Sequence, residues 1–217
     1  MTDASADILP PEAELALAWS GGRVRAPLSM ALHLDRRLAR IVARTTEPML
    51  GQMRLAWWRE ALGKPVAERP RGDAVLDGLG VHWAGREAAL AAMVDGWEVL
   101  VTAERLGPDE AAAFAAGRGA FFAAFSDDAA TGERLGAAGR CWALADAAAG
   151  VSDPGERAVL VAVGLAEGAR AGRLPADLRG LAVLAGLARR ALARGGRPLM
   201  EGRGAPLAAL RAAIFRA

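Results

Sequence analysis

The chain has one cysteine, two histidines and no tyrosine, and aromatic residues make up only 5% of it. A lone Cys141 excludes an internal disulfide framework. With no secretory leader in view, the chain reads as intracellular, and a cytoplasmic location is expected. Cys141 with His33 and His82 makes no zinc set, and there is neither a phosphate-cradling glycine loop nor a G-x-S-x-G elbow. No run approaches the roughly 18 apolar residues needed to cross a bilayer, so any membrane contact is expected to be peripheral. Lysine is nearly missing as well: Lys64 is the sole one, every other cation is arginine, and the pI near 9.4 exaggerates a formal net charge of only +2. Arginine is the better bidentate binder of phosphate and carboxylate, although a biased genome gives the same skew. No nucleic-acid partner is expected.

What is present is an alanine- and leucine-rich chain, 53% hydrophobic and punctuated by glycine and proline, with little strand-like alternation. That composition over 217 residues fits a single all-α domain with a substantial core. Residues 1–12 (MTDASADILPPE) are polar and Pro-terminated and read as a flexible tail, and residues 13–217 read as a helical bundle. Punctuation predicts helices near 12–19, 28–44, 46–62, 73–79, 86–106, 109–125, 131–149, 154–171, 175–194 and 206–216, and no sheet. There is no internal repeat and no sustained heptad.

The stretch TEPMLGQMRLAWWREAL joins a helix-start signal to a misplaced charge. Thr46 is suited to cap, Glu47 to the positive dipole end and Pro48 to the first turn. At about 100° per residue, Leu50, Met53, Leu55, Trp57, Trp58 and Leu62 cover a broad apolar arc that includes Arg54. On the preceding helix, Leu28, Ala31, Leu32, Leu34, Leu38, Ala39 and Val42 form one face and Arg36, Arg37, Arg40, Arg44 and His33 the other, with Asp35 on the apolar side. Two inward charges on consecutive helices are expected to pair with each other or with a ligand. The basic face of this helix suits phosphate or anionic lipid, and equally suits water.

The segment ALHLDRRLARI...TEPMLGQMRLAWWREAL resembles the squalene/phytoene synthase family of all-α isoprenoid synthases, whose second and third helices carry a Y-x-x-CR segment followed by L-x-x-WR-x-x-L. Further along, Val94-Asp95-Gly96-Trp97 looks like the family's acidic-Gly motif, Gly139-Arg140-Cys141-Trp142-Ala143-Leu144 its late G-x-A helix, and the stretch from Leu174-Pro175 to Leu192 its C-terminal helices. The resemblance implies an isoprenoid-synthase bundle. Active members condense two prenyl diphosphates head to head, using two helical motifs whose carboxylates, spaced i, i+4, hold Mg²⁺ against the diphosphate. Aligned on Arg36, the first motif falls on Ala39 and Ala43, and the second on Asp146 and Gly150, so both carboxylate pairs are lost. Asp73-Ala-Val-Leu-Asp77 has the right spacing in the wrong place, beside a Pro/Gly loop.

The resemblance therefore implies a member that has lost metal-dependent condensation, needs no cofactor, and binds or assembles. The TEPMLG-x-x-R-L-x-WWR pattern looks like the branch containing the mitochondrial respiratory complex I assembly factor, which implies a role beside a respiratory membrane with a respiratory-complex subunit as partner. The alternative is a surviving prenyl diphosphate transferase with Mg²⁺, in which Arg36, Arg40 and Arg44 take over charge neutralisation; no catalytic residue is assigned. The candidate polar cluster is Asp35, Arg36, Arg54, Asp95 and Glu98, read either as a satisfied core network or as a site. Trp57, Met93, Trp97 and Trp142 are candidate lining for an isoprenoid or lipid cavity, or else simply core.

Overall fold

A computed structural model describes residues 8–216. Among them the chain forms ten α-helices and no strand. They are α1 (Pro11–Ala18), α2 (Gly22–Ala43), α3 (Pro48–Gly63), α4 (Ala74–His82), α5 (Glu87–Thr102), α6 (Pro108–Ala123), α7 (Ala129–Gly150), α8 (Pro154–Arg170), α9 (Arg179–Ala193) and α10 (Ala205–Phe215). The fold is all-α and a single domain. One continuous core takes side chains from α1 to α7, α9 and α10, and Leu106, Ala111, Ala115, Leu144, Ala148 and Leu160 close a smaller cluster among α6, α7 and α8.

The helix starts follow local chemistry. Asp73 accepts from the backbone N–H groups of Val75 and Leu76, Asp128 from Thr131, and Asp153 from Glu156, each removing orphan donors at a helix N-terminus. The D-x-x-x-D stretch is thereby explained. Asp73 is a cap that also accepts from Arg37 at 2.8 Å, and Asp77 accepts from the Gly72 N–H. Two caps differ from expectation. Glu47 rather than Thr46 occupies the cap of α3, and Gly107 rather than Asp109 precedes α6, its N–H satisfied by the Glu110 carboxylate.

The second helix begins six residues earlier than Leu28, at Gly22, and carries Pro27 within it. The Pro27 carbonyl accepts from the indole N–H of fully buried Trp83 at 2.8 Å, tying α2 to the end of α4. Of the tail expected over residues 1–12, residues 1–7 lie outside the described residues, while Leu9 is buried and Pro11 opens α1.

Helix α6 runs between α5 and α7 at backbone contact. A Cβ on Gly96 of α5 would meet the Arg118 N at 2.4 Å, and one on Gly119 of α6 would meet the Gly139 carbonyl carbon on α7 at 2.5 Å. Only glycine permits both approaches. They draw three helices together around the residue between the two glycines of α6, which is Arg118.

Candidate functional site

Arg118 is 2% exposed and is the only arginine on α6. An isolated guanidinium there would carry a large desolvation penalty, yet every side of it is matched. Its Nε donates to Asp35 Oδ1 and its Nη2 to Asp35 Oδ2, both at 2.8 Å, giving a bidentate pair across α6 and α2. Nη2 also donates to Asp146 Oδ2 at 2.6 Å and Nη1 to the Ala143 carbonyl at 3.3 Å, both on α7. The guanidinium faces are covered by indoles, with Cζ 4.6 Å from the Trp97 ring and 4.5 Å from the Trp142 ring, a cation–π sandwich in a water-poor setting. The Trp97 indole N–H donates to Asp35 Oδ1 at 2.8 Å.

Electrostatics follow from this geometry. Burial alone would pull the Arg118 pKa down, but the Asp35 and Asp146 carboxylates more than offset it and hold the cation above its ordinary range. Helix α1 covers the open edge, where Asp146 keeps 34% side-chain exposure. There Glu12, Arg36, Asp146 and Leu9 surround a space of about 10 Å³, roughly the room of one water. Burial pushes the Glu12 carboxyl above its usual range, and Asp146 adds to the rise, against its own backbone N–H, Arg36 and Arg118.

The structure divides the residues singled out from the sequence. Asp35 is inward and ion-paired, with Arg118 as its partner and not Arg54. Arg54 is exposed and donates only a long contact, 3.4 Å, to Thr45 Oγ1. Asp95 and Glu98 do come together, on a different arginine: Arg59 donates to Asp95 Oδ1 at 2.6 Å and to Glu98, at a surface where Asp95 is 58% exposed. Arg36 borders the small space beside Arg118.

The four candidate lining residues separate as well. Met93, Trp97 and Trp142 are buried, and Arg118 occupies the interval between the two indoles. Trp57 is at the surface, edge-on to Trp58 with centroids 5.2 Å apart. Arg118 was missed because GRG inside an alanine run carries no periodic signal. Its two glycines, each forbidding a side chain against a neighbouring helix, are the one trace it leaves in the sequence.

Comparison with family models, with curated proteins and with solved structures finds no match. The site is therefore read from its own chemistry. At the positions that the resemblance aligns with metal-binding carboxylates, Ala39 and Ala43 offer no oxygen, Gly150 has no side chain and Asp146 is engaged by Arg118. These residues do not fit Mg²⁺. Among the described residues no group of three or more histidine, cysteine or acidic side chains is gathered for a metal, and no helix is long and apolar enough to cross a membrane.

Proposed function

We propose that the chain is a non-catalytic helical binding and assembly protein, of the squalene/phytoene synthase type in its bundle, that serves a respiratory complex beside the membrane. One observation carries the non-catalytic reading: the centre of the bundle is filled by the Arg118 guanidinium, clamped by Trp97, Trp142, Asp35 and Asp146. A prenyl chain would need that space. Displacing Arg118 would leave Asp35 charged and unpaired in the core, at a cost of about 3–5 kcal/mol. The absence of paired carboxylates at the aligned positions supports the same reading.

The binding surface in this proposal is the outward face of α3. Met49, Leu50, Met53 and Trp57 stand exposed there, opposite the buried face of Gly51, Leu55, Trp58 and Leu62. Met and Trp are residues that adaptable protein interfaces favour. Two experiments test the proposal together. Purified protein incubated with farnesyl and geranylgeranyl diphosphate and Mg²⁺ is expected to yield no C30 or C40 product. A photo-crosslinker at position 53 in cells is expected to capture a respiratory-complex subunit, and Trp57→Ser is expected to abolish the capture. Condensation product would overturn the proposal, and so would capture that survives Trp57→Ser.

A further inference from the structure

Helix α10 is apolar on two opposite faces. Ala205, Ala209, Ala212 and Ala213 pack inward against α9, while Leu207, Leu210 and Ile214, half a turn round, are 61%, 43% and 54% exposed. A helix apolar all round is normally covered on both sides. Among the described residues nothing supplies the second cover. At 11 residues α10 is too short to cross a bilayer, and its outward stripe runs along its length, so it can only lie flat against whatever covers it.

The charge around the stripe identifies the cover. From residue 202 to 216 the chain contains three arginines and no carboxylate. Arg203 and Arg211 make no ion pair among the described residues. Alongside Leu207, Arg189, Arg190 and Arg211 line an open groove of about 450 Å³ between α9 and α10 that contains no acidic side chain. Arg190 also donates to the Glu201 carbonyl at 3.0 Å, which leaves Arg211, among the described residues, as the free cation beside the stripe. A net-basic groove bordering an apolar stripe on a helix is the complement of an anionic headgroup layer above acyl chains. We propose that the α9–α10 edge lies on the surface of an anionic phospholipid bilayer, with Leu207, Leu210 and Ile214 at the acyl boundary and Arg189, Arg190 and Arg211 against headgroup phosphates. This inference stands on α9 and α10 alone and holds whether or not the chain serves a respiratory complex.

The test is flotation of the full chain with vesicles of phosphatidylcholine, alone or with 40% phosphatidylglycerol. Binding to the mixed vesicles is expected to be at least tenfold tighter than to the neutral ones and to weaken steeply between low and high salt. The double substitution Leu210→Asn/Ile214→Asn changes half-exposed side chains, so it should leave a cooperative thermal melt only slightly lowered while lowering vesicle binding at least tenfold. Arg211→Glu should lower binding to mixed vesicles and leave the residual binding to neutral ones unaltered. No binding, equal binding to both vesicle types, or variants that bind like the parent chain would each overturn the proposal. A dimer in light scattering that the double substitution dissolves would assign the face to a second copy of the chain, and a protein captured there in place of vesicles would assign it to that partner.

Discussion

Arg118 is the residue on which the interior depends, and its energetics are asymmetric. Arg118→Ala leaves Asp35 as a carboxylate in the core with only the Trp97 N–H for company. Such truncations cost about 3–5 kcal/mol, so denaturant unfolding is expected to show a loss in that range. The double change Asp35→Val/Arg118→Met removes both charges at nearly the same total volume, and it should recover most of that loss, because buried ion pairs seldom beat well-packed apolar residues. A double variant as unstable as the single one would mean that Asp146 and the indoles, rather than Asp35, set the cost. Only half of the pair was legible in the sequence. Asp35 declared itself by falling on the apolar side of its own helix, whereas its partner is 83 residues away, and periodicity carries no information about which helix comes to lie opposite. Arg54 looked like the partner because it was the nearest arginine on an apolar arc. Cys141, also on this core, has its thiol pushed up to about 12 by burial. It is expected to ignore an aromatic disulfide reagent at pH 8 in the native protein and to react once the chain is unfolded; native-state labelling would mean that α7 opens locally.

The helices themselves were largely readable, because Asp73, Asp128 and Asp153 cap where short polar side chains should and prolines stand at the first turns of α1, α3 and α8. What pattern could not decide is which half of a broad apolar arc faces inward. On α3 the arc is two faces, one buried and one in solvent, and α10 repeats the arrangement. The spacing between helices was equally hidden, since it depends on glycines that look like weak helix formers until their neighbours are known. Gly119→Ala would set a methyl group 2.5 Å from the Gly139 carbonyl carbon and 2.6 Å from the Arg140 N, both backbone atoms that no rotamer change can move. Helices α6 and α7 would have to part, at about 1–3 kcal/mol or more. Gly132→Ala, on the same α7 but with nothing within 4 Å of the new methyl, should be neutral or stabilising by up to about 1 kcal/mol. Comparing the two melting temperatures separates helix propensity from helix spacing; equal shifts would show that the α6–α7 contact yields.

At the scale of the molecule the usual distribution is partly inverted, with charge at the centre and apolar stripes on α3 and α10 outside. The centre is where five helices meet: α1 contributes Glu12, α2 Asp35, α5 Trp97, α6 Arg118, and α7 Trp142 and Asp146. At Glu12, on the edge of this centre, folding and protonation are coupled. Burial, with Asp146 adding, raises the Glu12 pKa in the folded protein, while the unfolded chain keeps it at about 4.3. Between those values the folded state binds the proton that the unfolded state has lost. Stability therefore falls as pH rises through that window and stays lower above it. Glu12→Gln keeps the shape and removes the titration. Its melting temperature should exceed that of the parent chain at pH 7, and the difference should close below about pH 4, where both proteins are neutral at this position in both states. A gap that persists in acid would trace the effect to altered packing of α1 over the small polar space. A Gln variant less stable at pH 7 would mean that Glu12 is held as an anion by Arg36 and Arg118, reversing the sign of its contribution.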